Sequence, residues 1–312
     1  MNITHLKYAI EVEKTGSITK AAEHLYMGQP NLSKSIKELE ASIGITLFKR
    51  TAKGIIPTKK GAEFLSYAKN VLMQIDALES YYKPSSTKKV DFRISVPRAS
   101  YITYAFTHFI NDLEMKGTAT IDFKETNSME AIENILENGF NLGIIRYATQ
   151  YEKYFLHLLN EKEFKYETLW TFEYLVLMSK EHPLAYSENI TLQDLEDYIE
   201  VIHGDLVVPT LSSIEIKKSN WAETSSKQIY VYERGSQFDL LSEVPTSYMW
   251  VSPVPSILLE RYGLVQRKCE VNDNVNKDVL IYPKRYRLNG LDRQFINQLE
   301  RIKEEMIHGV KG

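Results

Sequence analysis

Seven side chains able to make directed polar contacts crowd into two short stretches near the start of the chain. Gln29, Asn31, Ser33, Lys34 and Lys37 lie within QPNLSKSIKELE, and Arg50 and Lys53 within FKRTAKG. In the first stretch Leu32, Ile36, Leu39 and Ile43 recur at i, i+4, i+7 and i+11, which predicts a helix with one buried stripe and the polar set on the other face. Gln and Asn amides match adenine edges and Lys reaches guanine or phosphate, while short polar side chains let a helix lie deep in the major groove of DNA. The expected chemistry is recognition of a duplex.

The preceding residues position that helix. Leu6, Ala9 and Ile10 form one stripe of a first helix that stops near Thr15-Gly16. Ser17 suits the N-cap of a second, whose apolar set is Ile18, Ala21, Ala22 and Leu25. The alanine pair lets another helix cross closely, as a helix-turn-helix demands. Tyr26-Met27-Gly28 is the turn, with Gly28 expected to take a positive φ or to cap without a side chain. Pro30 falls in the first turn of the third helix and Gly44 ends it. RTAKG followed by IIPT predicts two short strands around a basic turn, a wing carrying Arg50 and Lys53 toward phosphates or the minor groove. Thr58 is expected to cap a long helix.

Charge separates this head from the rest. Residues 1–60 hold ten Lys and Arg against five Glu, a net +5, whereas the 312-residue chain totals −3, so the remainder carries −8. A basic head on an acidic body points to a polyanionic partner for the head alone. No run of 18 uncharged apolar residues occurs, and the N-terminus lacks the basic-then-apolar order of a secretion signal, so the expected address is the cytoplasm. The single cysteine, Cys269, excludes an intramolecular disulfide and is expected to be buried and inert.

Residues 1–61 resemble the N-terminal winged helix-turn-helix of the LysR-type transcriptional regulators. The likeness runs through GSITKAAEHL, QPNLSKSIKELE, LFKRT and PTKKG. One departure is Gly28, where the family usually has Ser before Gln-Pro, which removes a cap and a phosphate contact. The resemblance implies a DNA-binding set of Ser17, Thr19, Gln29, Pro30, Asn31, Ser33, Lys34, Lys37, Arg50, Thr51 and Lys53.

From Gly61 to about Lys83, Leu65, Ala68, Leu72, Ile75, Leu78 and Tyr82 recur mostly at alternating steps of three and four, the seam of a two-helix coiled coil. The resemblance adds that this linker helix pairs two subunits. KPSSTKK then predicts a polar hinge. Beyond it FRISV, TATIDF, NLGIIRY, EYLVLMS, IEVIHG, QIYVY, YMWVS and DVLIYP predict strands alternating with helical stretches, an α/β body. The expected domains are a winged helix-turn-helix over 1–60, a linker helix over 61–83, a hinge over 84–90 and a body over 91–312. The body resembles the family's periplasmic-binding-protein-like effector domain of two lobes, lobe 1 about 91–165 and 268–312, lobe 2 about 166–267. It departs from the family at Asn141 and at TSYMWVSPVPS.

Ligands on such sheets collect at strand ends. Arg98, Ser100 and Tyr101 follow the first strand of the body, where a helix N-terminus favours an anion, and Arg146 at the end of LGII is expected to grip a carboxylate through two hydrogen bonds. His203 and Gly204 end a strand of the second lobe. No metal spacing occurs among the seven His, nor does a nucleophile elbow or a phosphate-cradling loop, so no enzyme, metal or cofactor is expected. A sequence-specific transcriptional regulator uses every part. It would be a homodimer or homotetramer on operator DNA, tuned by a small-molecule effector between the lobes, an organic anion or an uncharged ligand, acting on RNA polymerase indirectly and away from membranes. An architectural DNA-binding protein leaves the body idle, and a plain small-molecule binding protein leaves the head idle.

Overall fold

The computed structural model of the chain describes residues 2–51, 54–82, 90–115, 117–204, 225–232, 235, 237–270 and 275–309. They form two compact units, one N-terminal and one C-terminal. Lys53 and the expected hinge through Lys89 lie outside the described residues.

The N-terminal unit runs α1 Ile3–Thr15, α2 Ile18–His24, α3 Gln29–Ile43, β1 Phe48–Thr51, β2 Gly54–Pro57 and α4 Lys59–Tyr82. Its core joins Leu6, Ala9 and Val12 of α1, Ala21 and Ala22 of α2, Leu32, Ile36 and Leu39 of α3, Leu47, and Leu65 and Ala68 of α4. The two alanines are buried, and their small side chains let the three short helices cross within one core. Gly16 closes α1 in the left-handed region at φ 62°, and its carbonyl accepts a 2.8 Å hydrogen bond from the Ile55 N–H, which docks β2 on the α1–α2 corner. Thr58 caps α4: its hydroxyl accepts from the Gly61 N–H at 2.9 Å and donates to the Thr46 carbonyl at 2.7 Å.

The expected coiled-coil seam needs correction. Leu65 and Ala68 are buried in the head's own core and Leu72 packs against it, because the first half of α4 lies on α1. Among the described side chains of α4 the exposed large apolar ones are Tyr67, Val71 and Leu78, spaced i, i+4 and i+11 along one stripe that shares only Leu78 with the expected seam.

The C-terminal unit holds two five-stranded sheets. The first lobe comprises β3 Val90–Val96, β4 Ala119–Glu125, β5 Leu142–Ala148, β6 Phe164–Glu173 and β12 Val275–Pro283, in the order β4-β3-β5-β12-β6. β3 is parallel to β4 and β5, and β12 is antiparallel to β5 and β6. α5 Ser100–Asn111 and the C-terminal helix Gly290–Gly309 bury Phe109 and Phe295 against Phe92 of β3. α6 Ser128–Glu137 and α7 Glu152–Glu161 complete the lobe.

The second lobe has β7 Leu175–Ser179, β8 Ile199–His203, β9 Gln228–Val231, β10 Ser247–Val251 and β11 Leu264–Arg267, in the order β11-β7-β10-β8-β9, with the short α8 Leu192–Leu195 before β8. The lobe boundary also needs correction. β6 extends to Glu173 and pairs with β12 from end to end, so the first crossing falls at Tyr174 rather than near residue 165.

Candidate nucleic-acid interface and inter-lobe strand ends

On α3, Leu32, Ile36 and Leu39 are buried, while Gln29, Pro30, Asn31, Lys34 and Lys37 are exposed and Ser33 is half-buried between the two faces. The helix starts at Gly28 in an extended conformation (φ −69°, ψ 134°) without a side-chain cap. Gly28 thus takes the second of its two expected roles, a cap without a side chain, and the turn residue with positive φ is Tyr26, at 50°. Ser17 caps α2, its hydroxyl accepting from the Lys20 N–H at 3.4 Å, and Thr19 is exposed in the first turn of α2. Lys34 lies 3.9 Å from Glu38 one turn on, a solvated pair worth little.

Glu40 fixes the approach to the wing, since its carboxylate accepts from the backbone N–H of Leu47 at 2.6 Å and of Phe48 at 3.3 Å. β1 and β2 pair antiparallel from Phe48↔Pro57 to Thr51↔Gly54. Arg50 and Thr51 are exposed on this hairpin, and the Thr51 hydroxyl donates to the Gly54 carbonyl at 3.0 Å. Polar residues of α3 and a cation of the wing thus stand on one small rigid core.

In the C-terminal unit the expected ligand residues fall into two groups. Arg146 is 10% exposed, and its Nε and Nη2 donate to the Asp278 carboxylate at 2.7 and 2.6 Å. Phe172 lies under the guanidinium at 4.8 Å. Tyr101 is fully buried, donates to the same carboxylate at 2.5 Å and packs edge-on against Trp170. Burial weakens the guanidinium's hold on its proton, but the Asp278 carboxylate outweighs that, so the Arg146 pKa is raised. Burial, with Asp278 adding, raises Tyr101 well above the usual phenol value. The carboxylate that Arg146 grips is therefore internal, which corrects the expectation of a ligand's carboxylate there. Asp278 on β12 was not legible as its partner, because the two positions are joined only by the β5–β12 register.

The second group lies where the lobes meet. Arg98, after β3, donates from Nη2 to the Tyr232 carbonyl after β9 at 3.1 Å. A Cβ on Gly204, just past the end of β8, would come to 2.5 Å from the Tyr232 ring, so a larger residue there requires that exposed ring to move. His203 is half-buried at the end of β8. Ser100 opens α5, 6% exposed, after Ala99, which gives no side-chain cap. The structure thus brings Arg98 and Gly204 together through Tyr232, a residue the strand-end reasoning passed over.

A model of the bacterial regulatory helix-turn-helix proteins of the lysR family matches residues 3–62. The transcriptional regulator AlsR of Bacillus subtilis (strain 168) is 26% identical over 97% of this chain and 98% of its own length. The N-terminal unit carries the helix-turn-helix of the lysR-family regulators, and the chain is similar along its length to a transcriptional regulator. Solved structures share its fold. A full-length OxyR variant from Pseudomonas aeruginosa (15% identity, TM-score 0.63) covers 97% of this chain and 94% of its own. ArgP from Mycobacterium tuberculosis (16%, TM-score 0.64) covers 96% of each.

The chain also has a pocket of about 290 Å³ near the lobe crossings, lined by residues that include Glu173, Glu188, Glu270 and Lys268. Three carboxylates against one ammonium make it unsuited to an anion. Cys269 lines it half-buried, and burial, with Asp194 and Glu270 adding, pushes its thiol up to about 11, so it is protonated at neutral pH. Among the described residues no group of three or more His, Cys, Asp and Glu could hold a metal ion, and no helix is long and apolar enough to cross a membrane.

Proposed function

We propose that the polar face of α3 enters the major groove of operator DNA, with Gln29, Asn31 and Ser33 on base edges and Lys34 and Lys37 on bases or phosphates. Ser17, Thr19, Pro30, Arg50, Thr51 and Lys53 support docking on the backbone and the adjacent minor groove. The observation that carries this reading is the exposed polar row on the outer face of a helix whose opposite face is fully committed to the core. The likeness in fold to CbnR, which has been solved bound to its target DNA, agrees with it (15% identity, TM-score 0.55, covering 97% of this chain and all of that one).

The exposed stripe Tyr67, Val71 and Leu78 of α4 is the face that pairs with a second copy, giving a dimer and, through the bodies, a tetramer. Two heads then place two recognition helices about 34 Å apart, one helical turn of DNA. In the body, an organic anion between the lobes takes Arg98 and the N-terminus of α5 near Ser100, with His203 and Gly204 on the facing lobe. Its binding shifts the relative setting of the heads, and so the access of RNA polymerase. It can do so only to the extent of its differential affinity for the two arrangements. The protein acts in the cytoplasm as a binding protein, without catalysis or a cofactor.

The test is fluorescence anisotropy of the purified protein with a labelled duplex from immediately upstream of its gene, against unlabelled random duplex. Binding that survives excess competitor supports specific regulation. Binding removed in full by competitor would favour an architectural role.

A further inference from the structure

The residue that closes the helix-turn-helix corner has no structural work for its side chain. α2 ends in a Schellman motif: the Met27 N–H reaches the Ala22 carbonyl at 3.0 Å and the Tyr26 N–H the Glu23 carbonyl at 3.1 Å. This places Tyr26 at the left-handed position, φ 50°, where glycine is least costly and an L side chain is strained. Such strain persists at sites where it serves a purpose. Here the ring does not offset it, because Tyr26 is 98% exposed and buries almost nothing. Met27 supplies the motif's apolar contact instead, packed against the core that holds Ala22.

The position supplies the purpose. Tyr26 sits between the end of α2 and the first residue of α3, Gln29. In helix-turn-helix docking the first helix crosses the DNA backbone and the second enters the groove by its N-terminal residues, so the corner between them borders the backbone strand edging that groove. Tyr is among the side chains that donate to phosphate oxygens, and its rigid ring carries the hydroxyl well clear of the main chain. Gly28 cannot offer a side-chain donor at the entry of α3, so the nearest neutral side-chain donor before Gln29 is this hydroxyl.

We propose that Tyr26 is a further DNA contact, its phenol hydroxyl donating to a backbone phosphate beside the groove that α3 reads. This rests on the reading that α3 enters the major groove. Being neutral, the contact adds affinity on any sequence without releasing a counterion.

The experiment measures binding of full-length wild type, Tyr26→Phe, Tyr26→Gly and Gln29→Ala to the upstream duplex and to a random duplex, across a salt series, with melting temperatures alongside. Tyr26→Phe is expected to weaken both duplexes alike, about fivefold, the size of one lost neutral hydrogen bond, with the salt slope unchanged. Tyr26→Gly is expected to melt at or above the wild-type temperature and to bind no better than Tyr26→Phe. Wild-type affinity in Tyr26→Phe, a loss confined to the upstream duplex, or a lower melting temperature in Tyr26→Gly would each overturn the proposal. If Gln29→Ala loses affinity for the upstream duplex while Tyr26→Phe loses none, the Tyr26 contact alone fails. If Gln29→Ala also binds as wild type, the groove reading fails with it.

Discussion

Arg146 and Asp278 face each other across the β5–β12 ladder, register partners joined by two parallel hydrogen bonds of 2.7 and 2.6 Å. Asp278 is fully buried, and the Tyr101 hydroxyl adds a third bond to it, so α5, β5 and β12 are tied at one carboxylate. The chain crosses from lobe 1 to lobe 2 and back between β6 and β12, so this tie holds the returning strand to the start of its own lobe.

Breaking such a pair leaves a buried charge without its partner. Asp278→Asn is expected to lower the stability of the C-terminal unit by about 3–5 kcal/mol, read by urea unfolding. Arg146→Met combined with Asp278→Leu removes both charges and should lose less than either single change. Equal losses in single and double variants would mean that packing, rather than the ion pair, sets the cost.

Lobe 2 carries two buried groups with opposite pH dependence. Glu200, 3% exposed, is paired in register with the buried Tyr248, and burial pushes its carboxyl from 4.5 up to about 7. The folded state therefore holds this proton more tightly than the unfolded chain, and stability falls as pH rises from about 4.5 to 7. His182, 2% exposed, accepts from the Leu184 N–H at 3.0 Å, and burial pushes it down from 6.5 to about 4. Its contribution is present above 6.5 and is lost as pH falls toward 4. Glu200→Gln should flatten the decline in melting temperature over the upper part of this range while leaving the acid limb in place. An unchanged profile would show that Glu200 ionises freely.

Gly61 is required by close approach rather than by φ. A Cβ there would fall 2.0 Å from the Leu47 carbonyl oxygen, where the first turn of α4 crosses the strand entry. Gly61→Ala should cost about 1–3 kcal/mol by forcing the helix away. Gly44→Ala meets no atom within 4 Å and bears only the left-handed cost at φ 71°, about 1 kcal/mol. Thermal melting of the two variants separates them, and equal melting points would contradict the contact.

Much of the head was legible because its rules are local: the Ser17 and Thr58 caps, the stop at Gly44 and the stripe Leu32, Ile36 and Leu39 fall where spacing puts them. The left-handed Tyr26 was not, since propensity assigns positive φ to glycine and Gly28 stood two residues away. In the body, β3, β5 and β7 show as apolar runs, whereas β6 was missed. It is an edge strand whose residues 165–168 are all exposed, so its buried Phe164, Leu169 and Phe172 do not alternate with exposed positions as a half-buried strand's would. The Arg146–Asp278 pair and the Tyr232–Gly204 contact depend on registers and loops that close only in three dimensions.

Base reading and phosphate contact separate by their response to sequence and salt. Gln29→Ala or Ser33→Ala should cost about 1–3 kcal/mol on the operator and relax base preference. Arg50→Ala should weaken all sequences together and make the salt slope shallower by about one unit. Equal losses for Gln29→Ala on operator and random DNA, or an unchanged slope for Arg50→Ala, would move that residue out of its assigned role.

The most direct measurement is hydroxyl-radical footprinting of the full-length protein on the DNA immediately upstream of its own gene, with random DNA as competitor. Two protected patches on one face of the duplex, about one helical turn or 34 Å apart, are the result that paired α3 helices predict. A single patch, uniform protection along the duplex or no protection would contradict it.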